Sequence, residues 1–532
     1  MDVRVRGYVI TAAVFTSGAA LLCAELAASR LLAPFFGNSL FVWGALIGVF
    51  LGGLAIGYWA GGALADRIPS PELLSVVIAL GAAGLLAAPF LDDHVLEAVV
   101  SWDPGPRANP VVASILLFGL PSILLAGVTP IAVRLRAREL ETIGRTAGGL
   151  FSVSTVGSIV GTFLTAFWLI PELGTHQVLG VAAATLFAAA TAVAVVQRRA
   201  VGAVVGVAAC AGAIVAAFAL APGTGGRLSA VEARNWSPAY RLRQSPSARP
   251  ANDYTGSKVI FRRDTEYHQL AVVQDGNTRV LRFGSSFQSA MNVARPFATE
   301  FGYTDLFSLA MLYRPSTRSM LFLGLGGGSA PKRMWRDFPG LRVDVVELDP
   351  VVVDVARRYF AVPDDPRMRI ENEDGRLFLA KTDRKWDAIA IDVFYEDGIP
   401  FHMSTFEFFE LVREHLEPGG VVLMNVIGST EDSGSELFRA MYRTYRAVFP
   451  TVVVHPAVAP GGGLQNLMVV ATEQPAPAKS VLLDRWGETR NRTPTYPELR
   501  TRIRDRVDSG VEIDDVPTLT DDYAPTDALL IE

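Results

Sequence analysis

The sequence has almost no cysteine and no lysine at all before Lys258. Its two cysteines, Cys23 and Cys210, both lie inside apolar runs, so neither a disulfide framework nor a cysteine metal site is indicated. Six histidines (94, 176, 268, 402, 415 and 455) are scattered without ligand spacing, and no metal is assigned. There is no block of basic residues, and the net charge of −5 is mild. No nucleic-acid partner is expected.

Apolar sequence is abundant instead. The mean hydropathy of +0.31 is too high for a soluble enzyme of 532 residues, and the excess is confined to residues 1–222. About seven runs there reach the ~20 residues needed to cross a bilayer: 9–30, 40–63, 72–91, 111–133, 150–171, 177–196 and 200–221. The first is too long and too lightly flanked for a cleaved signal peptide. Small residues recur four apart, as in Gly57 and Gly61, or Gly157 and Gly161, a spacing that lets membrane helices approach closely. Glu25 is an acid well inside an expected span; it is read either as a functional carboxylate or as a hydrogen-bonding group between helices. The expectation is a multi-pass protein of the cell membrane with the lipid bilayer as a partner. Arginines in alternate loops place residues after 222 outside, whereas Arg227, Arg234, Arg241 and Arg243 argue for the inside, so the side is left open. A half-helix hidden near Asp92, Asp93 and Trp102 would reconcile the two.

Residues 223–256 are rich in Pro, Gly, Ser, Arg and Ala and read as a linker. A β-rich entry module with a helix follows at 257–315, marked by two alternating runs around Gln274-Asp275-Gly276-Asn277. Over 316–475 strand and helix patterns alternate, which implies a doubly wound α/β sheet. Strands are expected at 342–347, 368–373, 386–392, 420–426, 451–455 and 465–471, with helices at 329–338, 349–360, 375–382, 404–416 and 433–447. Residues 476–532 read as a charged tail with one helix near 496–507.

The chemistry-bearing residues sit at the ends of those strands. The run Ser319–Leu325 enters a cluster of Gly324, Gly326, Gly327 and Gly328, where the backbone can turn sharply and approach a ligand. Glu347, twenty-one residues after Gly326, ends the next strand; it suits ribose hydroxyls or, alternatively, a helix N-terminus. Asp374, before Gly375, is either an acceptor for an adenine amino group or a helix N-cap. Asp392 ends an apolar strand where ligands bind in such sheets and could accept a proton from an attacking amine; its structural alternative is a capped turn before Gly398. Glu396 and Asp397 add to a negative pocket suited to amines.

Over residues 260–472 these motifs resemble the spermidine synthase (polyamine aminopropyltransferase) family, in particular its bacterial membrane-fused variants. The stretches Ala24–Pro34 and Gly57–Arg67 share that likeness. The resemblance implies a Rossmann-like, S-adenosylmethionine-type sheet domain behind a helical membrane bundle. It implies decarboxylated S-adenosylmethionine as co-substrate, an amine such as putrescine as acceptor, and a homodimer. By position, Gln288 matches the glutamine at the nucleoside's sulfur end, and Tyr303 matches a tyrosine lining the substrate site. Gly326, Gly327 and Gly328 match the glycine loop, Glu347 the ribose acid, Asp374 and Gly375 the adenine-side motif, and Asp392 the catalytic base. Ser329 stands where the family has the acid that holds the donor's amine. Tyr395 stands where it has a second amine-binding acid, a role left to Asp397. Two other functions stay open: a methyltransferase using intact S-adenosylmethionine, and a non-catalytic transporter or sensor for polyamine or nucleoside.

Overall fold

A computed structural model describes residues 3–37, 39–105, 107–137, 142–196, 200–219, 227–228, 254–395, 398–430, 434–458, 464–490, 496 and 498–531. The chain divides into two compact units, residues 1–226 with 262–269, and residues 227–261 with 270–532.

The first unit is helical. Its elements are α1 (Val3–Phe36), α2 (Leu40–Arg67), α3 (Pro71–Trp102), α4 (Asn109–Arg136), α5 (Ile143–Leu173), α6 (Thr175–Val196) and α7 (Ala200–Ala219). Seven spans are expected; among the described residues, six helices are long and apolar enough to cross a membrane, and the seventh region contributes the shorter stretch Val204–Ala216. The six run well past the expected bounds, because polar residues near their ends are carried on continued helix. No half-helix hides near Trp102: α3 continues through Asp92 and Asp93, and Asp92 is buried with its carboxylate 2.7 Å from His176 Nε2.

Local chemistry explains the helix ends and seams. Ser39 and Ser70 cap α2 and α3 by accepting from Val42 N and Leu73 N, and Pro71 fills the first turn, where its missing N–H is not needed. Each of α4 and α5 contains one π turn, Ile115–Gly119 and Thr165–Leu169, two residues before Pro121 and Pro171; a proline ring cannot accept the regular α register four residues back. The glycine seams are close approaches. A Cβ on Gly57 would lie 2.3 Å from Ile123 O, and one on Gly157 2.2 Å from Phe15 O. Glu25 lies partly buried on α1.

The second unit begins with a four-stranded antiparallel sheet in the order β1 (Lys258–Asp264), β2 (Gln269–Asp275), β3 (Thr278–Phe283), β4 (Ser286–Asn292). Asp275 pairs with Thr278 across a two-residue Gly276-Asn277 turn, as the hairpin signal predicts. The expected helix before the main sheet is a 3₁₀ segment, Gly302–Ser308, continuing into one α turn, Leu309–Tyr313.

The main sheet has seven strands in the order β10-β11-β9-β8-β5-β6-β7. They are β5 (Ser319–Leu323), β6 (Arg342–Glu347), β7 (Met368–Asn372), β8 (Trp386–Ile391), β9 (Leu416–Gly428), β10 (Thr451–Pro456) and β11 (Gln465–Thr472). Strands β5 to β9 are parallel, while β11 pairs antiparallel with β9 and β10. Between them run α8 (Ser329–Asp337), α9 (Pro350–Tyr359), α10 (Gly375–Lys381), α11 (Phe406–Glu414) and α12 (Glu436–Val448). Alternation along each strand divides the core between two faces. Leu321, Leu323, Ile389 and Ile391 pack with Phe408, Phe409 and Tyr445; Met320, Phe322, Ala388 and Ala390 pack with Leu312, Ala330 and Met334.

The segment after β11 is more ordered than a charged tail with one helix. It carries α13 (Lys479–Arg490), α14 (Leu499–Arg504) and α15 (Thr526–Ile531). Leu482, Tyr496, Leu499 and Ile503 join the core on one face, and Val516, Leu519 and Leu529 on the other. Their apolar anchors are too widely spaced to form a periodic signal.

Candidate active site

The strand order reverses between β5 and β8, and ligands of open α/β sheets bind at such a point beyond the strands' carboxyl ends. There β5 leads into the glycine loop. Gly324, Gly326 and Gly328 have φ of +93°, +52° and +65°, a region open to glycine. A Cβ on Gly324 would also lie 2.2 Å from the Asp392 carbonyl oxygen, so the glycine is what lets the ends of β5 and β8 close on each other. Gly327 N donates to Ser289 Oγ at 2.8 Å, which ties the loop to β4.

Glu347, at the end of β6, is buried and accepts from Leu325 N at 2.9 Å and Asp349 N at 3.0 Å. Burial pushes its carboxyl up, against the opposing pull of these N–H groups. Its two oxygens retain further acceptor sites. Asp374 caps α10, with Oδ1 accepting from Arg376 N and Leu377 N at 2.9 Å each and Oδ2 lying 3.3 Å from His402 Nε2. The His402 contact is the main reason its carboxyl is held below the usual range. Gly375 follows, and a Cβ there would meet Met403 Cε at 3.1 Å and Leu323 Cδ2 at 3.4 Å. Arg376 clamps Asp521 with both terminal nitrogens, at 2.7 and 2.5 Å, and donates to His402 O at 2.8 Å.

Asp392, just past β8, is held differently. Oδ1 accepts from Asn425 Nδ2 at 2.9 Å and Oδ2 from Tyr303 OH at 3.3 Å. It is only partly exposed, and loss of water pushes its carboxyl up to about 6 despite both hydrogen bonds. A partly exposed carboxylate ionised just below neutral pH at the strands' carboxyl ends is suited to accept a proton.

Of the residues expected from sequence, Tyr303 and Asp392 are in direct contact. Gly324, Leu325 and Glu347 meet at the strand ends, and Gly375 packs on β5. Gln288 lies on β4 and donates to Ser286 Oγ at 3.2 Å; its neighbour Ser289 is the residue that meets the loop. Glu396 and Asp397 lie outside the described residues. Ser329 begins α8, with Oγ 3.5 Å from Ala290 O. Sequence reasoning missed Ser289, His402, Asn425 and Asn466. Only Asn425 left a signal, as an amide inside the apolar run Val421–Ile427. Among the described residues, no group of three or more potential ligands is placed to hold a metal ion.

Residues 300–477 match the family model for the spermine/spermidine synthase domain. A probable polyamine aminopropyl transferase of Bifidobacterium longum is 35% identical over 147 residues, covering 28% of this chain and 32% of that protein. Polyamine aminopropyltransferase 1 of Streptomyces coelicolor is 23% identical over 469 residues, covering 85% of this chain and 80% of that protein. Putrescine N-methyltransferase 2 of Nicotiana attenuata is 31% identical over 174 residues, 31% of this chain and 45% of that protein. The chain thus spans about a third of the length of the Bifidobacterium relative and under half of the Nicotiana one.

Proposed function

We propose, from the match of residues 300–477 to the spermine/spermidine synthase domain, that the chain is a membrane-anchored aminopropyltransferase. The donor is decarboxylated S-adenosylmethionine and the acceptor an amine such as putrescine. The donor nucleoside lies along Gln288, the loop Gly326–Gly328, Glu347, Asp374 and Gly375, and the acceptor lies beside Tyr303 and Asp397. The acceptor nitrogen attacks the donor's methylene next to the sulfonium, the C–S bond breaks, and methylthioadenosine leaves. The proton released from the new secondary amine goes to Asp392. The observation that carries this reading is Asp392 itself, a carboxylate at the end of β8 with its carboxyl at about 6 and Tyr303 OH 3.3 Å away. Anchoring is supported by the six long apolar helices.

Full-length protein in nanodiscs, given decarboxylated S-adenosylmethionine and putrescine, is expected to release methylthioadenosine and spermidine in equal amounts. Absence of methylthioadenosine with every amine tried would overturn the reading. A second reading, methyl transfer from intact S-adenosylmethionine, is favoured by the uncharged Ser329 at the loop's end and by the likeness to the Nicotiana protein. Its products would be S-adenosylhomocysteine and a methylated amine, so one mass-spectrometric assay with both donors separates the two. Recovery of the full chain from the membrane fraction after carbonate washing tests the anchor.

A further inference from the structure

We propose that Asn425 is the positioning residue for Asp392, and that Asn466 supports it: Asn425 holds Oδ1, Asn466 holds Asn425, and Oδ2 is left as the oxygen that takes the proton. This rests on the reading of Asp392 as the base and adds two residues outside the expected site.

The argument begins with the strand. β9 is apolar from Val421 to Ile427 apart from Asn425, which is 2% exposed. An amide buried among aliphatic side chains is costly unless its polar atoms are bonded, so its presence calls for partners. Both ends of the amide are bonded. Nδ2 donates to Asp392 Oδ1 at 2.9 Å, and Oδ1 accepts from Asn466 Nδ2 at 3.0 Å. The register explains the second contact. Asn425 lies opposite Met468 and Asn466 opposite Ile427, so the two asparagines are diagonal neighbours on one face of the β9–β11 pair.

The order of the relay matters because an amide has two unlike ends. The Asp392 carboxylate only accepts, which sets the NH₂ of Asn425 toward it and the Asn425 carbonyl toward β11, where Asn466 Nδ2 donates. Turned over, Asn425 would set an oxygen against the carboxylate. Oδ1 of Asp392 is therefore occupied by a rigid partner on a central strand. Among the described residues Oδ2 has the longer 3.3 Å contact to Tyr303, on a 3₁₀ segment, and is the atom that changes partners during turnover.

The test uses the full-length protein and two readouts. The first is kinetic. Asn425→Leu is expected to lower kcat by about 10- to 100-fold with donor KM changed by less than about threefold, and to move the acidic limb of the kcat profile to higher pH. Asn425→Ser, which keeps a donor, is expected to recover most of kcat. Asn466→Ala is expected to fall between them. The second readout needs no turnover. Infrared titration of the Asp392 carboxyl, identified as the band lost in Asp392→Asn, is expected to shift upward in Asn425→Leu and less in Asn466→Ala. Unchanged titration in both variants overturns the proposal, and so does an equal loss in the Ser and Leu variants. If wild-type protein transfers neither group, the functional reading fails while the titration still decides the relay.

Discussion

The two units differ in how they satisfy many of their buried polar groups. In the helical unit most hydroxyls bond to their own helix, as Ser114 Oγ to Pro110 O, Ser122 Oγ to Phe118 O and Thr191 Oγ1 to Phe187 O, each four residues back. Ser75 Oγ and Ser158 Oγ instead reach Ala190 O and Gly18 O on other helices. In the α/β unit, carboxylates reach across the chain. Asp387 Oδ2 accepts from Arg318 N, Ser319 N and Ser319 Oγ, and Glu347 accepts from Leu325 N, 22 residues away. Hydroxyls bonded within their own helix offer a ligand little, whereas the long-range bonds of these carboxylates gather charge at the strand ends. The α/β unit then divides once more. Asp387, Glu347 and Asp374 each accept backbone N–H groups, while Asp392 is held by side chains. Among the described residues, Asp392 is the one of these four carboxylates met by no backbone N–H, and burial leaves it able to take a proton at about 6.

Breaking that last distinction should give the largest effect. Asp392→Asn is expected to lower kcat by about 10²- to 10⁴-fold, measured by methylthioadenosine release, with the protein folded and donor binding retained. Asp387→Ala should do the reverse. It leaves Arg314, 2.7 Å from Asp387 Oδ1, without its buried partner, and is expected to cost roughly 3 kcal/mol in urea unfolding of the α/β unit, with kcat per folded molecule little changed.

A smaller effect tests the raised carboxyl through stability. Asp392 titrates at about 6 when folded and at about 3.9 when unfolded, so its charge opposes folding fully above pH 6 and not at all below pH 4. Asp392→Asn is therefore expected to stabilise the protein by on the order of 2 kcal/mol at pH 8. The gain should fade between pH 6 and pH 4 in thermal melts taken across that range. A gain of equal size at pH 4 would show that the carboxyl is not raised. The smallest effect belongs to the helical unit: Ser122→Ala removes a self-satisfied hydroxyl and is expected to change stability by less than about 1 kcal/mol. A loss several times larger would mean that the Ser122 hydroxyl also bonds across the chain.

Strand positions were legible in the sequence because each parallel strand is a short apolar run ended by a glycine or an acid. The expected strands at 342–347, 386–392 and 451–455 fall within a residue of β6, β8 and β10. Gly324, Glu347, Asp374 and Asp392 were legible for the same reason. Ser289 and His402 were not, since each acts through a partner far along the chain: Ser289 on Gly327, 38 residues away, and His402 on Asp374, 28 residues away. Asn466 falls in the same class, because its role depends on the antiparallel register of β9 and β11. Each of the seven expected spans falls on a helix, the last of them on Ala200–Ala219, but apolar content marks a span without marking where its helix ends.

The segment after β11 has one more consequence. Phe406 N donates to Leu519 O, Thr405 Oγ1 donates to Asp521 Oδ1 across 116 residues, and Arg376 grips the same carboxylate. The turn at 401–405, which carries His402 to Asp374, is thus clamped by a piece of chain made more than a hundred residues later. During synthesis the parallel strands and the glycine loop leave the ribosome first, while this clamp is still missing. A nascent chain halted at residue 515 would carry every strand of the sheet without the Leu519 and Asp521 contacts that hold this turn.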